Sequence, residues 1–338
     1  MAIQESIAKL INKSDLGREE AAQAMRELMS GEATDAQMAG FLVALAMKGE
    51  TVEEIVGLAS TMRAFATPVP VSRKPLVDTC GTGGDHSGTF NISTAAAFVT
   101  AGAGIAVAKH GNRSASSRCG SADVLEALGV SIEADPAVVG RCIDEIGIGF
   151  LFARTLHSAM GHVAHVRTEL KIRTVFNILG PLTNPANADG QVMGVYVGDL
   201  VAPLAEALQN LGARHAFVVH GCDGLDELTL GGPSRVAEAK DGRIKTYEIT
   251  PEHFGLARRP KSALIGGDAE TNARLLRDVL DGKRGPHRDI VLLNAAPAIV
   301  AGQQAGDLEG GIERAAVSVD SGAALEKLEQ LIRHSHDS

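Results

Sequence analysis

The residues of this chain best suited to chemistry sit in two short loops. The first follows the apolar pair Leu76-Val77 and the triplet Asp78-Thr79-Cys80, and reads Gly81-Thr82-Gly83-Gly84-Asp85-His86-Ser87-Gly88-Thr89. Asn91-Ile92-Ser93-Thr94 then offers N-cap oxygens to an alanine-rich run over 95–101, so the order is strand, glycine loop, helix start. Glycines let main-chain N–H groups approach an anion, and the free N–H groups of a helix start point at it, which makes a phosphate or pyrophosphate the natural occupant. Spacing excludes the two common phosphate loops. Gly83 and Gly88 are separated as in a P-loop, yet Thr89 stands where its lysine belongs, and His86 occupies the third glycine of Gly-x-Gly-x-x-Gly.

The second loop follows the strand-like run 105–108 and reads Lys109-His110-Gly111-Asn112-Arg113-Ser114-Ala115-Ser116-Ser117, after which Gly120-Ser121-Ala122-Asp123 opens another helix. Two cations, an amide and several hydroxyls could grip a polyanion from the other side. Either loop alone is what any βα turn looks like; two at successive strand ends favour a ligand. Further on, Asp226-Glu227 stands in a glycine-containing turn after a strand. Adjacent carboxylates there suit Mg²⁺, which takes few protein ligands and completes its shell with phosphate and water.

These motifs, together with Arg167, Arg173-Thr174-Val175-Phe176-Asn177-Ile178-Leu179-Gly180-Pro181-Leu182-Thr183-Asn184-Pro185 and Asp223-Gly224-Leu225-Asp226-Glu227, resemble the anthranilate phosphoribosyltransferases in fixed order over nearly the whole chain. The resemblance implies Mg²⁺-dependent transfer of phosphoribosyl from 5-phosphoribosyl 1-pyrophosphate to the amine of anthranilate, the second step from chorismate to tryptophan. It places the phosphoribosyl pyrophosphate contacts at Gly81, Gly84, Asp85, Thr89, Asn91, Ile92, Ser93, Thr94, the nine residues from Lys109 through Ser114, Ala115, Ser116 and Ser117, and Ser121. It places anthranilate at Gly81, Asn112 and Arg167, with Arg173 the rival arginine, and two Mg²⁺ ions per subunit at Ser93, Asp226 and Glu227. A guanidinium meets a carboxylate with paired hydrogen bonds. Asp85 beside a pyrophosphate would repel it, so a ribose or metal-linked role is expected. No nucleophile or catalytic dyad is evident, so catalysis is expected to be electrostatic. The chain departs from the family at Arg154 and Ser158, where the family carries prolines. Alternatives are a pyrimidine nucleoside phosphorylase, which lacks the acidic pair, and a non-catalytic nucleic-acid-binding relative.

The elements that must carry these loops follow from pattern. Residues 1–67 read as four short helices, with capping boxes at Thr34-Asp35-Ala36-Gln37 and Thr51-Val52-Glu53-Glu54. The third, over 38–47, is apolar on every side, so burial against a second subunit is expected, giving a homodimer through the N-terminal helices. Ala66-Thr67-Pro68-Val69-Pro70 is a stiff joint, and with the Gly180-Pro181 region it would allow closure of a cleft between lobes. From 72 to 332 strands and helices alternate, with strands expected at 76 onward, 105–108, 148–152, 192–197, 216–220 and 290–293, and a hairpin over 235–249 turning at Asp241-Gly242. The fold class is a small helical lobe plus a larger α/β lobe with a mostly parallel sheet, as in nucleoside phosphorylases and phosphoribosyltransferases. By resemblance, part of 155–185 packs back on the helical lobe.

Composition sets limits. A net charge of −9 with 3% aromatic residues argues against broad nucleic-acid binding, and no run is long enough for a membrane span or shaped as a signal peptide, so a cytoplasmic protein is expected. Cys80, Cys119, Cys142 and Cys222 show no metal spacing and are expected to be buried thiols. His157, His162 and His165 match no standard ligand set, and His334-Ser335-His336 reads as a frayed tail.

Overall fold

The computed structural model describes residues 2–114 and 118–337. Four helices come first: α1 (Ala2–Ile11), α2 (Arg18–Met29), α3 (Asp35–Lys48) and α4 (Val52–Phe65). Both capping boxes form. Gln37 N–H donates to Thr34 Oγ1 at 3.4 Å while Thr34 N–H donates to Gln37 Oε1 at 2.9 Å, and the Thr51–Glu54 pair repeats this at 3.3 and 2.8 Å. Glu54, buried, also accepts Leu16 N–H at 2.9 Å and the Lys48 ammonium at 2.9 Å, so one carboxylate ties the start of α4 to the α1–α2 link and the end of α3.

Beyond the joint the elements are β1 (Leu76–Gly81), α5 (Ile92–Gly102), β2 (Ala106–Gly111), α6 (Ser121–Ala127), α7 (Pro136–Ile146), β3 (Ile148–Phe152), α8 (Ala153–Leu156), α9 (Gly161–Leu170), α10 (Phe176–Leu179), β4 (Gly190–Gly194), α11 (Val201–Asn210), β5 (His215–Gly221), β6 (Ser234–Lys240), β7 (Arg243–Ile249), α12 (Ala269–Leu280), α13 (Pro286–Ala301), α14 (Leu308–Asp320) and α15 (Ala323–His334). The seven strands form one sheet in the order β3-β2-β1-β4-β5-β6-β7. The first five are parallel, and the hairpin β6–β7 adds two antiparallel strands. The parallel strands β1, β3 and β4 are buried along nearly their whole length, as a sheet covered by helices on both faces requires.

One expected strand is a helix. Ile290 through Leu293 lie in α13, which is buried from Ile290 to Ala301 because it packs between the sheet and α14 while also touching α5. A helix enclosed on all sides loses its 3.6-residue alternation, and a short apolar window of it reads as a buried strand; its 16-residue length and alanine content are the cues that favour helix. The C-terminal tail is also not frayed. Ser335 is 5% exposed and its hydroxyl accepts Ser131 N–H at 3.0 Å, while His336 Nε2 lies 3.0 Å from Gly129 O.

Two large apolar cores flank the sheet. One holds α5, α12, α13, α14 and α15. The other runs without a break from Ile3 and Leu10 through Phe41, Leu45 and Leu58 to Val163, Phe176 and Leu179, and on to α11 and the sheet residues Met193, Val218 and Ala237. The joint is stitched in place rather than free: Thr67 N–H donates to Leu156 O at 2.8 Å and Val69 N–H to Pro185 O at 3.1 Å. Cys80, Cys119 and Cys142 are buried, whereas Cys222 is exposed, since it sits on the outer turn after β5.

Candidate active site

The strand order reverses between β1 and β4, and at such a switch point the loops leaving the strands part to make a crevice. Gly81 and Gly194 are register partners at the ends of these strands, and Thr82 N–H donates to Gly194 O at 2.9 Å. Both glycines are required by Asp226. A Cβ on Gly81 would stand 2.6 Å from Asp226 Oδ2, and one on Gly194 only 1.6 Å from Asp226 O. The turn after β5 therefore lies directly on the β1 and β4 ends, and Gly83 N–H donates to Asp226 Oδ2 at 2.8 Å. Gly83, Gly84 and Gly88 all take positive φ (63°, 74° and 67°), which folds the first loop over the helix start.

Three carboxylates face one another here. Burial, and then the charge of Asp85, push Asp226 up to about 7. Glu227 is raised well above the usual carboxylate range by burial and by Asp226, with Lys109 opposing and the main chain of Ser93 bonded to it. Asp85 Oδ1 accepts Ser87 N–H at 3.1 Å, but its Oδ2 is buried without a partner. A crowd of anions with an orphaned oxygen fits a divalent cation. Among the described residues no three such side chains are close enough to hold a metal unaided.

The walls are built by less obvious residues. Lys109 is 3% exposed and its ammonium donates to Thr79 O at 2.5 Å; burial lowers its pKa while Asp78 and Glu227 hold its charge. Asp78, fully buried, accepts His110 N–H at 3.0 Å and Asn184 Nδ2–H at 2.8 Å, and the same Asn184 nitrogen reaches Ala108 O at 2.9 Å. Gln191 Nε2 donates to Pro181 O at 2.6 Å, so the segment around Gly180-Pro181 is pinned to the sheet. His110 and His157 are both buried with ring centroids 5.3 Å apart, and each Nε2 lacks a partner. Burial takes His157 down to about 4, and burial with the neighbouring His157 and Lys109 takes His110 to about 3, so both rings are neutral.

The other residues singled out in the sequence divide by what their side chains do. Ser93 is half-buried at the start of α5, its carbonyl accepting the Thr79 hydroxyl at 3.1 Å, and Thr94 has a buried hydroxyl without a partner. Ile92 points into the core, leaving its main chain alone available. Asn91 is committed to Cys119 O at 3.2 Å and to Asn272 Nδ2 at 2.9 Å, and Thr89 bridges to Ile265 and pairs with Ser87. In the second loop, Asn112 N–H donates to Ser121 Oγ at 3.1 Å, and Gly111 is packed so that a Cβ would sit 2.1 Å from that oxygen. Arg113 pairs with Asp123 at 2.9 Å and Glu126 at 2.7 Å, and Asp123 accepts Ser114 N–H at 3.1 Å and Gly120 N–H at 2.8 Å. Arg113 thus braces the loop from outside. Ala115, Ser116 and Ser117 lie outside the described residues.

Two arginines close the crevice on the side of α9. Arg167 is half-buried over the Phe176 ring at 5.1 Å, and burial lowers its pKa. Arg173 stacks on Tyr196 at 3.9 Å and donates to Gly84 O, latching the first loop to the α9–α10 segment. His162 and His165 are exposed on α9, the latter 2.9 Å from Asp35, and Arg154 and Ser158 are also exposed. A cleft of about 510 Å³ lined by Arg214, His215, Lys240 and Gln303 lies at the opposite end of the sheet. Arg214 there is paired with Asp189 at 3.2 Å, and His215 Nε2 lies 2.8 Å from Glu238 Oε1.

A helical bundle on a mostly parallel sheet, with two glycine-bearing loops and an acidic turn at the switch point, is the architecture of the glycosyl transferase family that the chain matches. Residues 4–66 match the glycosyl transferase family helical bundle domain, and residues 73–325 match the glycosyl transferase family a/b domain. The anthranilate phosphoribosyltransferase of Anaeromyxobacter dehalogenans is 58% identical over 330 residues, covering 98% of each chain, and that of Symbiobacterium thermophilum is 56% identical over 322 residues, covering 95% of this chain and 94% of the other. The crystal structure of the Thermus thermophilus anthranilate phosphoribosyltransferase superposes with a TM-score of 0.94 at 50% identity, over 98% of this chain and 99% of that one. The Saccharomyces cerevisiae enzyme in complex with PRPP and Mg superposes at 0.89 with 30% identity, over 98% and 97%. The chain belongs to the anthranilate phosphoribosyltransferase family and is a pentosyl-transferring enzyme of tryptophan biosynthesis.

Proposed function

We infer that this chain binds 5-phosphoribosyl 1-pyrophosphate across the β1–α5 and β2–α6 loops and joins its ribose C1 to the amine of anthranilate, releasing pyrophosphate. The observation that carries this reading is the facing of Asp85, Asp226 and Glu227 beside glycine main chain at the switch point, with an anion-receptive helix start next to it. Asp226 and Glu227, with Ser93 opposite, would hold Mg²⁺, which when bound supplies positive charge to the departing pyrophosphate. The ion count we propose is two, matching three carboxylates that cannot all stay ionised without compensation. The glycine N–H groups and the hydroxyls of Ser93 and Thr94 orient the diphosphate. Asp85, whose Oδ2 has no protein partner, faces the ribose or the ion.

The aromatic amine is neutral at pH 7 and needs no strong base, and the two neutral histidines suit a wall that excludes charge rather than one that accepts a proton. Arg167, desolvated and with an aromatic face beneath it, is assigned to the anthranilate carboxylate, with Asn112 and the Gly81 main chain beside it. The helical lobe comprises 1–67 with part of 155–185, and the α/β lobe spans 72–332. Ile11 and Met47, 69% and 81% exposed on α1 and α3, support a homodimer through this lobe. The direct test is loss of anthranilate fluorescence with 5-phosphoribosyl 1-pyrophosphate, with and without Mg²⁺. Turnover of thymidine and phosphate in its place would overturn the reading.

A further inference from the structure

Asn294 lies in the middle of α13, 2% exposed, between the fully buried Ile290 and Ala298. A polar amide in such a place is costly unless every group is paired. All of it is paired, and mostly with one residue. Leu228 N–H donates to Asn294 Oδ1 at 2.8 Å, and Asn294 Nδ2 donates to Leu228 O at 2.9 Å and to Ile290 O at 2.9 Å. The side chain therefore holds both main-chain groups of Leu228, as a neighbouring strand would.

Leu228 directly follows Glu227. The other hydrogen bonds of this turn are largely internal: Gly221 N–H to Leu225 O at 2.9 Å, Thr229 Oγ1–H to Asp223 Oδ2 at 2.7 Å, and Thr229 N–H to Ser234 Oγ at 3.0 Å. Lys261 reaches the far end, at Asp223 O, 2.9 Å away. The leucines at 225, 228 and 230 sink into the core and set the depth of the turn, but apolar contacts do not fix the rotation of a peptide plane. Asp226 is held by Gly83 and by the packing against Gly81 and Gly194. The Glu227 carboxylate is bonded by the main chain of Ser93 and faced by Lys109, and the peptide that follows it, held by Asn294, fixes the backbone from which that side chain projects.

We propose that Asn294 is a positioning residue for phosphoribosyl transfer: by clamping Leu228 it fixes the direction of the Glu227 carboxylate from the far side of the sheet's helical layer. This rests on the reading that Asp226 and Glu227 serve metal-bound phosphoribosyl pyrophosphate. Loss of the clamp removes no contact of the first loop or of the anthranilate wall, so the defect is confined to the metal-dependent part of binding.

The test uses calorimetry of 5-phosphoribosyl 1-pyrophosphate binding to the full chain, in EDTA and in excess Mg²⁺, on Asn294→Leu and on Asn294→Asp at pH 8. Melting curves establish that each variant is folded at the assay temperature. Asn294→Leu is expected to raise the dissociation constant at least tenfold in Mg²⁺ while leaving it within twofold in EDTA, with an unchanged KM for anthranilate. Asn294→Asp keeps the acceptor, loses both donors and is expected to fall between. A general packing defect would instead weaken binding equally with and without Mg²⁺, and that result overturns the inference. So does wild-type affinity in Asn294→Leu or, if that variant does not fold, in Asn294→Asp. If the wild type itself shows no Mg²⁺-dependent association, the functional reading fails and this inference with it.

Discussion

Asp226→Asn is expected to make the metal-free protein more stable than the wild type at pH 8 while abolishing Mg²⁺-dependent activity. The folded carboxyl is raised from 3.8 to about 7, chiefly by burial and then by Asp85. Between those pH values the folded chain keeps a proton that the unfolded chain has released, so stability falls as pH rises through this window and levels off above it. At about 1.36 kcal/mol per pH unit the full penalty is about 4 kcal/mol, and the partial access of water to the turn brings the expected effect to about 2–4 kcal/mol. Asparagine keeps the shape and carries no charge, so the slope disappears with it. Urea denaturation in EDTA at pH 5, 6, 7 and 8 reads the effect as the difference between wild type and variant. That difference removes the opposing contributions of His110 and His157, which are common to both proteins. It should already stand at about a third of its plateau at pH 5 and grow to the full value by pH 8, and adding Mg²⁺ with phosphoribosyl pyrophosphate should stabilise the wild type alone. A flat difference across the range would show that Asp226 is not a strained carboxylate and would remove the physical reason for placing a cation there.

Arg167→Ala is expected to weaken use of anthranilate by about 2–5 kcal/mol, read as a raised KM with that of phosphoribosyl pyrophosphate unchanged; an unaltered value would transfer the role to Arg173. Gly81→Ala, whose new Cβ would stand 2.6 Å from Asp226 Oδ2, should lower kcat/KM about a hundredfold through misplacement of the carboxylate, and near-normal kinetics would mean that the contact is slack. Light scattering at micromolar concentration is expected to give twice the chain mass, and a monomer would refute the proposed use of α1 and α3.

Local signals carried much of this molecule. The capping boxes at Thr34 and Thr51, the hairpin turn at Asp241-Gly242 and the loop glycines each act within a few residues, so their chemistry is visible in a short window. The contact of Asp226 with Gly81 joins positions 143 residues or more apart, and only the ordered motifs hinted at it. The polar residues that brace the site had no such hint. Gln191 and Asn294 stand singly among apolar or small neighbours while Asp78, Asn184 and Asn272 lie beside threonines, and what distinguishes all of them is hydrogen bonding inside the protein. Ile290 through Leu293 failed for the converse reason: a helix enclosed by sheet and helices has no wet side to betray its period.

The apolar mass that begins at Ile3 and ends on Val218 and Ala237 makes the amino-terminal bundle part of the wall of the sheet. A chain trimmed of that bundle would leave α11 and the strand residues beneath it wet, and such a fragment would precipitate rather than stand as a smaller catalyst. Heat should accordingly melt the whole polypeptide in one transition, and lineages that exchange the catalytic half must carry its helices along.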